Sequence, residues 1–198
     1  LLADYAVCEP TDLLASPINL SGIIGGSAIS ATWSIVSGAG TLSASTLTGS
    51  NVISQYTIDP SDVGSSVTLR LTTNDPDGIC TAEFDEIIIT INQAAFVSAG
   101  PDLQLCEDNP SIVIQGSQFG ATTSVSWSGG MGVFSNLSVL QPDYSFNNPA
   151  EVNTTITLTI TTLDPDGGGP CLASSDQMNL KINPLPAVVF SGLPTGTP

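Results

Sequence analysis

An all-β chain with two consecutive β-sandwich repeats is the fold the sequence predicts, and three observations predict it. Apolar and polar residues alternate with a period of two along Val67–Thr72 and again along Ile156–Thr161. One ordered set of motifs occurs twice. Each occurrence holds a single tryptophan at the same place, Trp33 in the first and Trp127 in the second.

The alternation rules out a helix over those segments. Val67, Leu69 and Leu71 fall on one face, while Thr68, Arg70 and Thr72 fall on the other, which is the pattern of a half-buried strand. Seven strands are expected in the first repeat, near Asp4–Cys8, Pro17–Ser21, Ala31–Val36, Gly40–Ser43, Val52–Ile58, Val67–Thr73 and Glu86–Ile91. Pro60-Ser61-Asp62-Val63, mirrored by Pro149-Ala150-Glu151-Val152, reads as a short helical turn between the fifth and sixth strands. About seven short strands in roughly 90 residues, with a Trp on the third, suggest an immunoglobulin-like (PKD-like) sandwich. Trp33 and Trp127 are then core residues between the sheets, the rival reading being exposed ligand platforms. Tyr56 and Tyr144, at the end of the fifth strand, are expected to be partly buried structural residues.

The internal repeat sets the domain boundaries. Cys8 in DYAVCEP corresponds to Cys106 in DLQLCED, and Tyr56 to Tyr144. The run VTLRLTTNDPDGIC corresponds to ITLTITTLDPDGGGPC, so Cys80 matches Cys171. Repeat 1 therefore spans 1–93 and repeat 2 spans 94–184. Residues 185–198, PLPAVVFSGLPTGTP with Pro184, open like a third repeat or a linker, as expected of an excerpt from a longer array. A linker as short as Asn92-Gln93-Ala94 favours a semi-rigid rod over independent beads.

Each repeat has one cysteine in its first strand and one in the loop before its last strand. Equivalent units are expected to bond equivalently, which predicts Cys8–Cys80 and Cys106–Cys171. Free thiols and a metal site are the rivals, but two cysteines per repeat with no histidine cannot close an ordinary zinc site. Disulfides imply an oxidising compartment.

The motif Asp75-Pro76-Asp77-Gly78 recurs as Asp164-Pro165-Asp166-Gly167. A β-turn explains it: Pro presets φ, Asp bonds nearby backbone, and Gly takes the left-handed position. A Ca²⁺ site built on Asp75, Asp77, Asp164 and Asp166, with Asp4 or Asp102 added, is the alternative, since acidic oxygen-rich loops suit a hard cation. Calcium is the one cofactor the sequence admits.

Eighteen acidic residues face only Arg70 and Lys181, without histidine, for a net charge of −16. Such a chain repels phosphate backbones and anionic lipid, so neither nucleic acid nor a membrane is expected as a partner. No apolar run is long enough to span a bilayer. With 41% apolar residues the chain is not of the disordered acidic kind. No catalytic residue is assigned. A triad lacks its histidine, and no nucleophile elbow, metal-binding helix or phosphate loop is present.

The succession SAGPDLQLCE, SWSGGMGVFS, LTITTLDPDGGGPC and KINPLPAVVFSG resembles the repeats of giant cell-surface adhesins of Bacteroidota, such as the gliding-motility adhesins of flavobacteria. That resemblance covers both repeats and the tail. It implies export by the type IX secretion system, display on the bacterial cell surface, and a part in adhesion or gliding. The expected role is a non-enzymatic structural spacer. Its expected partners are neighbouring repeats of the same chain, surface polysaccharide, and the secretion machinery during export. The alternative is a carbohydrate-binding or accessory module of a secreted polysaccharide-degrading enzyme. That alternative expects exposed loop aromatics, for which Phe119 and Phe134 are the candidates.

Overall fold

The computed structural model describes residues 4–11, 13, 15–76, 79–189 and 192. They form two compact units. Unit 1 comprises Leu1–Ala95 together with Asp164–Ala173, and unit 2 comprises Phe96–Leu163 together with Ser174–Pro198. The chain thus leaves unit 2 after Leu163, contributes one loop to unit 1, and returns at Ser174.

In unit 1 the strands are β1 (Tyr5–Cys8), β2 (Ile18–Ile23), β3 (Ala31–Ser37), β4 (Thr41–Leu42), β5 (Thr46–Thr48), β6 (Asn51–Thr57), β7 (Ser66–Thr73) and β8 (Phe84–Asn92). One sheet runs β1-β8-β7-β3 and the other β2-β6-β4, with β5 also paired to β6. The core lies between them. Leu20, Val52 and Tyr56 from one sheet meet Trp33, Val67, Leu69, Ile89 and Ile91 from the other. The alternation read in the sequence positions these side chains: Val67, Leu69 and Leu71 are buried on β7. Arg70 points outward, where its Nε donates to Glu86 at 2.8 Å and its guanidinium lies 4.1 Å from the Phe84 ring centre.

Unit 2 contains β9 (Ala95–Ser98, beginning on the last residue of unit 1), β10 (Leu103–Cys106), β11 (Ser111–Val113), β12 (Ser117–Gly120), β13 (Val125–Gly129), β14 (Val133–Phe134), β15 (Asp143–Ser145), β16 (Thr155–Thr162) and β17 (Ser175–Asn183). Its sheets run β10-β17-β16-β13, β11-β15-β14 and β12-β9. A second, separate core gathers Trp127, Tyr144, Leu158, Ile160, Met178, Leu180 and Ile182. Both units are immunoglobulin-like: each has a four-stranded sheet that holds the Trp strand and in which the cysteine-bearing strand, β1 or β10, runs parallel to the last strand, packed over a core shared with the unit's other strands. Strands β5, β9 and β12 are additions to the seven expected per repeat. Their exposed or short sequences carry no alternation strong enough to announce them.

Parallel pairing of first and last strands fixes where each cysteine lies. Cys8 sits opposite Asn92, at the final residue of β8, and Cys106 sits opposite Asn183, at the final residue of β17. Cys80 and Cys171, by contrast, precede the first residues of those same strands.

Candidate functional site

The predicted disulfides Cys8–Cys80 and Cys106–Cys171 do not form. Cys8 is bonded to Cys171, with the Cα atoms 4.8 Å apart, and Cys80 and Cys106 are free and exposed. The reason is strand geometry. Nine residues of β8 separate the level of Cys8 from the loop of Cys80, which is roughly 26 Å at the rise of a strand. A disulfide tolerates a Cα separation of only about 7 Å. The second repeat has the same strand length and the same obstacle.

Loop Asp164–Ala173 is therefore a built-in part of unit 1, seated at the end of β8. Asp164 forms the turn: its Oδ1 accepts from the N–H groups of Asp166 and Gly167 at 3.2 and 2.9 Å. Gly167 takes a positive φ of 69°, the left-handed position that the turn reading required. Asp166 is the clip. Its Oδ2 accepts from the Asn92 side-chain amide at 2.8 Å and from the Cys171 N–H at 3.0 Å. The Asn92 amide, ahead of the backbone donors, holds the Asp166 carboxyl below the ordinary carboxylate range. Cys171 is fully buried beneath this arrangement. On the receiving side, Glu9 follows Cys8. Its N–H donates to the Asn92 carbonyl at 2.8 Å, and its Oε2 accepts from Ala94 N–H at 3.2 Å.

The four candidate calcium ligands fare differently. Asp164 and Asp166 accept from N–H donors as described, Asp75 lies in the exposed loop after β7, and Asp77 lies outside the described residues. Asp4 and Asp102 bond strand backbone. Asp4 Oδ1 accepts from Ile88 N–H at 2.9 Å, and Asp102 Oδ1 accepts from Asn179 N–H at 2.8 Å, so each satisfies an outer backbone donor of its last strand. Among the described residues no group of three His, Cys, Asp or Glu could hold a metal.

Both tryptophans are buried, Trp33 donating its indole N–H to the Val52 carbonyl and Trp127 to that of Val139. Tyr56 and Tyr144 are more deeply placed than the sequence suggested, with no exposed surface. Each donates its hydroxyl to a buried carboxylate on the following 3-10 turn: Tyr56 to Asp62 at 2.7 Å, Tyr144 to Glu151 at 2.9 Å. Each hydroxyl also accepts a glycine N–H, from Gly40 and Gly132 respectively. A Cβ at Gly40 would lie 2.2 Å from the Thr57 carbonyl oxygen and 2.6 Å from the Tyr56 ring, so only glycine fits. The recurring Gly-x-Gly, Tyr and acidic residue spell out this motif in both repeats, a signal the strand reading passed over.

An open groove of about 510 Å³ on the β2-β6-β4 sheet is lined by Asn19, Ser21, Asn51, Gln55 and their neighbours. Its polar groups bond one another: Ser21 to Asn51 and Gln55 to Asn19, both at 2.9 Å. No aromatic side chain lines it. Of the two loop aromatics, Phe119 is exposed and lies 6.3 Å from Phe96, while Phe134 packs edge-on against Tyr144.

No protein family model matches the chain, and no curated protein matches it. Solved structures do. The I-band fragment I67-I69 from titin is 11% identical with a TM-score of 0.49, and the match covers 93% of this chain and 63% of that one. Drosophila N-cadherin EC1-4 is 15% identical with a TM-score of 0.45, over 90% of this chain and 47% of that one. The chain thus spans less than two thirds of the length of either.

Proposed function

We propose that this chain is a non-enzymatic spacer segment of a large extracellular protein, made of tandem immunoglobulin-like repeats and displayed on a bacterial surface in the manner of the Bacteroidota adhesins it resembles. One observation carries this: the Cys8–Cys171 bridge, closed over a loop that the second repeat of the sequence contributes to the first unit. A disulfide of this kind belongs to an oxidising compartment. A loop exchanged along the chain favours continuity between repeats over independent ligand-binding modules. The acidic surface supports the same reading, because net repulsion keeps crowded copies apart.

The test is replacement. In the full-length protein, an unrelated pair of immunoglobulin-like domains of equal length is put in place of this segment. Surface display and adhesion are expected to persist. Lost adhesion with intact display would overturn the spacer role, as would saturable micromolar binding of the isolated chain to purified surface polysaccharide.

A further inference from the structure

Unit 2 carries a second copy of the seat that holds loop 164–173, and its cysteine, Cys106, forms no disulfide in this chain; the Asn183 amide, the counterpart of Asn92, donates to Gln104 at 3.2 Å instead of to a loop carboxylate. Cys106 lies opposite Asn183 as Cys8 lies opposite Asn92. Glu107 N–H donates to the Asn183 carbonyl at 2.9 Å, and Glu107 Oε2 accepts from Leu185 N–H at 3.1 Å. Those are the contacts Glu9 makes with Asn92 and Ala94 in the occupied seat. The cysteine thiol at the centre is exposed.

The complementary half is also present. Asp75-Pro76-Asp77-Gly78-Ile79-Cys80 corresponds to the seated Asp164-Pro165-Asp166-Gly167 and Cys171, shortened by two residues before the cysteine. Cys171 is fully buried in its seat, whereas Cys80 is exposed and its neighbour Ile79 has its whole side chain in solvent. In repeat terms the one bridge formed joins the first-strand cysteine of repeat n to the loop cysteine of repeat n+1. With two repeats, that rule leaves unpaired the loop cysteine of the first and the first-strand cysteine of the second, which are Cys80 and Cys106.

We infer that Cys80 and Cys106 are bonding sites for flanking repeats of the same polypeptide. Cys80 takes the first-strand cysteine of a preceding repeat. Cys106 takes the loop cysteine of a following repeat, whose Asp-Pro-Asp-Gly turn clips onto Asn183. The opening motif of such a repeat is written in the sequence, where INPLPAVVFSG parallels INQAAFVSAG with one residue inserted. Each bridge forms as two thiols give up two protons and two electrons to an oxidised disulfide, glutathione disulfide or an oxidoreductase disulfide, which is reduced to two thiols.

The inference rests on the tandem-repeat reading, but its test is thiol pairing, which can fail while the segment still serves as a spacer. The full-length protein is isolated from the cell surface under non-reducing conditions with free thiols blocked, then digested and mapped by mass spectrometry. Cys80 and Cys106 are each expected in a disulfide-linked pair with a cysteine of an adjacent repeat. Recovery of either as a blocked thiol, or of Cys80 joined to Cys106, overturns the proposal. So does a reducible dimer linked through them. A second arm uses residues 1–184 followed directly by a further copy of 94–198. After oxidation with glutathione disulfide, Cys106 of the first copy is expected to pair with Cys171 of the second. C106S is expected to leave that Cys171 as a thiol or as a mixed disulfide with glutathione, and its recovery joined to another cysteine of the protein would contradict the assignment.

Discussion

The tyrosine–carboxylate pairs show how single residues hold each sandwich to its glycine loop. Asp62 accepts through both oxygens: Ala39 N–H on one, and Gly40 N–H, Asp59 N–H and the Tyr56 hydroxyl on the other. Glu151 accepts through one oxygen only, from Met131 N–H and Tyr144, while its Oε2 is buried without a partner. Burial, more than the adjacent carboxylate, pushes the Tyr144 hydroxyl up to about 12 and Tyr56 higher still. A pKa raised in the folded state means that the folded protein retains a proton the unfolded chain has released. The stabilisation is complete below pH 10 and is lost as pH rises through the folded values. The urea midpoint is therefore expected to fall between pH 10 and pH 12. A Y56F/Y144F variant should show a shallower fall, and at neutral pH each lost hydroxyl should cost about 1–3 kcal/mol through the carboxylate left short of a donor. An equally steep fall in the variant would show that other groups set the alkaline limit. The tryptophans were legible from their recurrence, one per repeat. The tyrosine contacts were not, because they depend on how closely a glycine loop approaches a ring, which alternation does not encode.

At the scale of elements, the decisive piece is loop 164–173. The strands that carry it follow from the sequence, since Ile156–Thr161 and Val67–Thr72 alternate cleanly and become β16 and β7. The pairing of the cysteines did not follow, for a definite reason. A repeat establishes that Cys8 and Cys106 are equivalent, and that Cys80 and Cys171 are equivalent. It is satisfied equally by bonds within a copy and by bonds from each copy to the next. Only the parallel register of β1 on β8, which puts Cys8 at the far end of the strand from Cys80, separates the two cases. Closing a loop of 163 residues is worth up to about 5 kcal/mol by chain entropy. C8S/C171S is accordingly expected to lower the melting point of unit 1 in calorimetry, while C80S/C106S in this same chain leaves it unchanged. Equal effects of the two double variants would contradict the observed bridge.

For the whole molecule, the two separate cores and the recurring topology were legible from composition, alternation and repetition together. What they leave open is how load passes through the chain, and the bridge answers that. Tension applied at the two ends enters through β1, crosses the sulfur–sulfur bond, and leaves through β17. Everything between Cys8 and Cys171, which is most of both sandwiches, lies off that path. In an optical trap the oxidised chain should therefore yield only the short segments outside the bridge. Reduction should release a further 163 residues, roughly 550 Å of contour length; an oxidised molecule that extends by that amount would show the bridge to be absent. A chain wired in this way carries a pull along a short covalent route and holds most of its length in reserve while the bridge is intact.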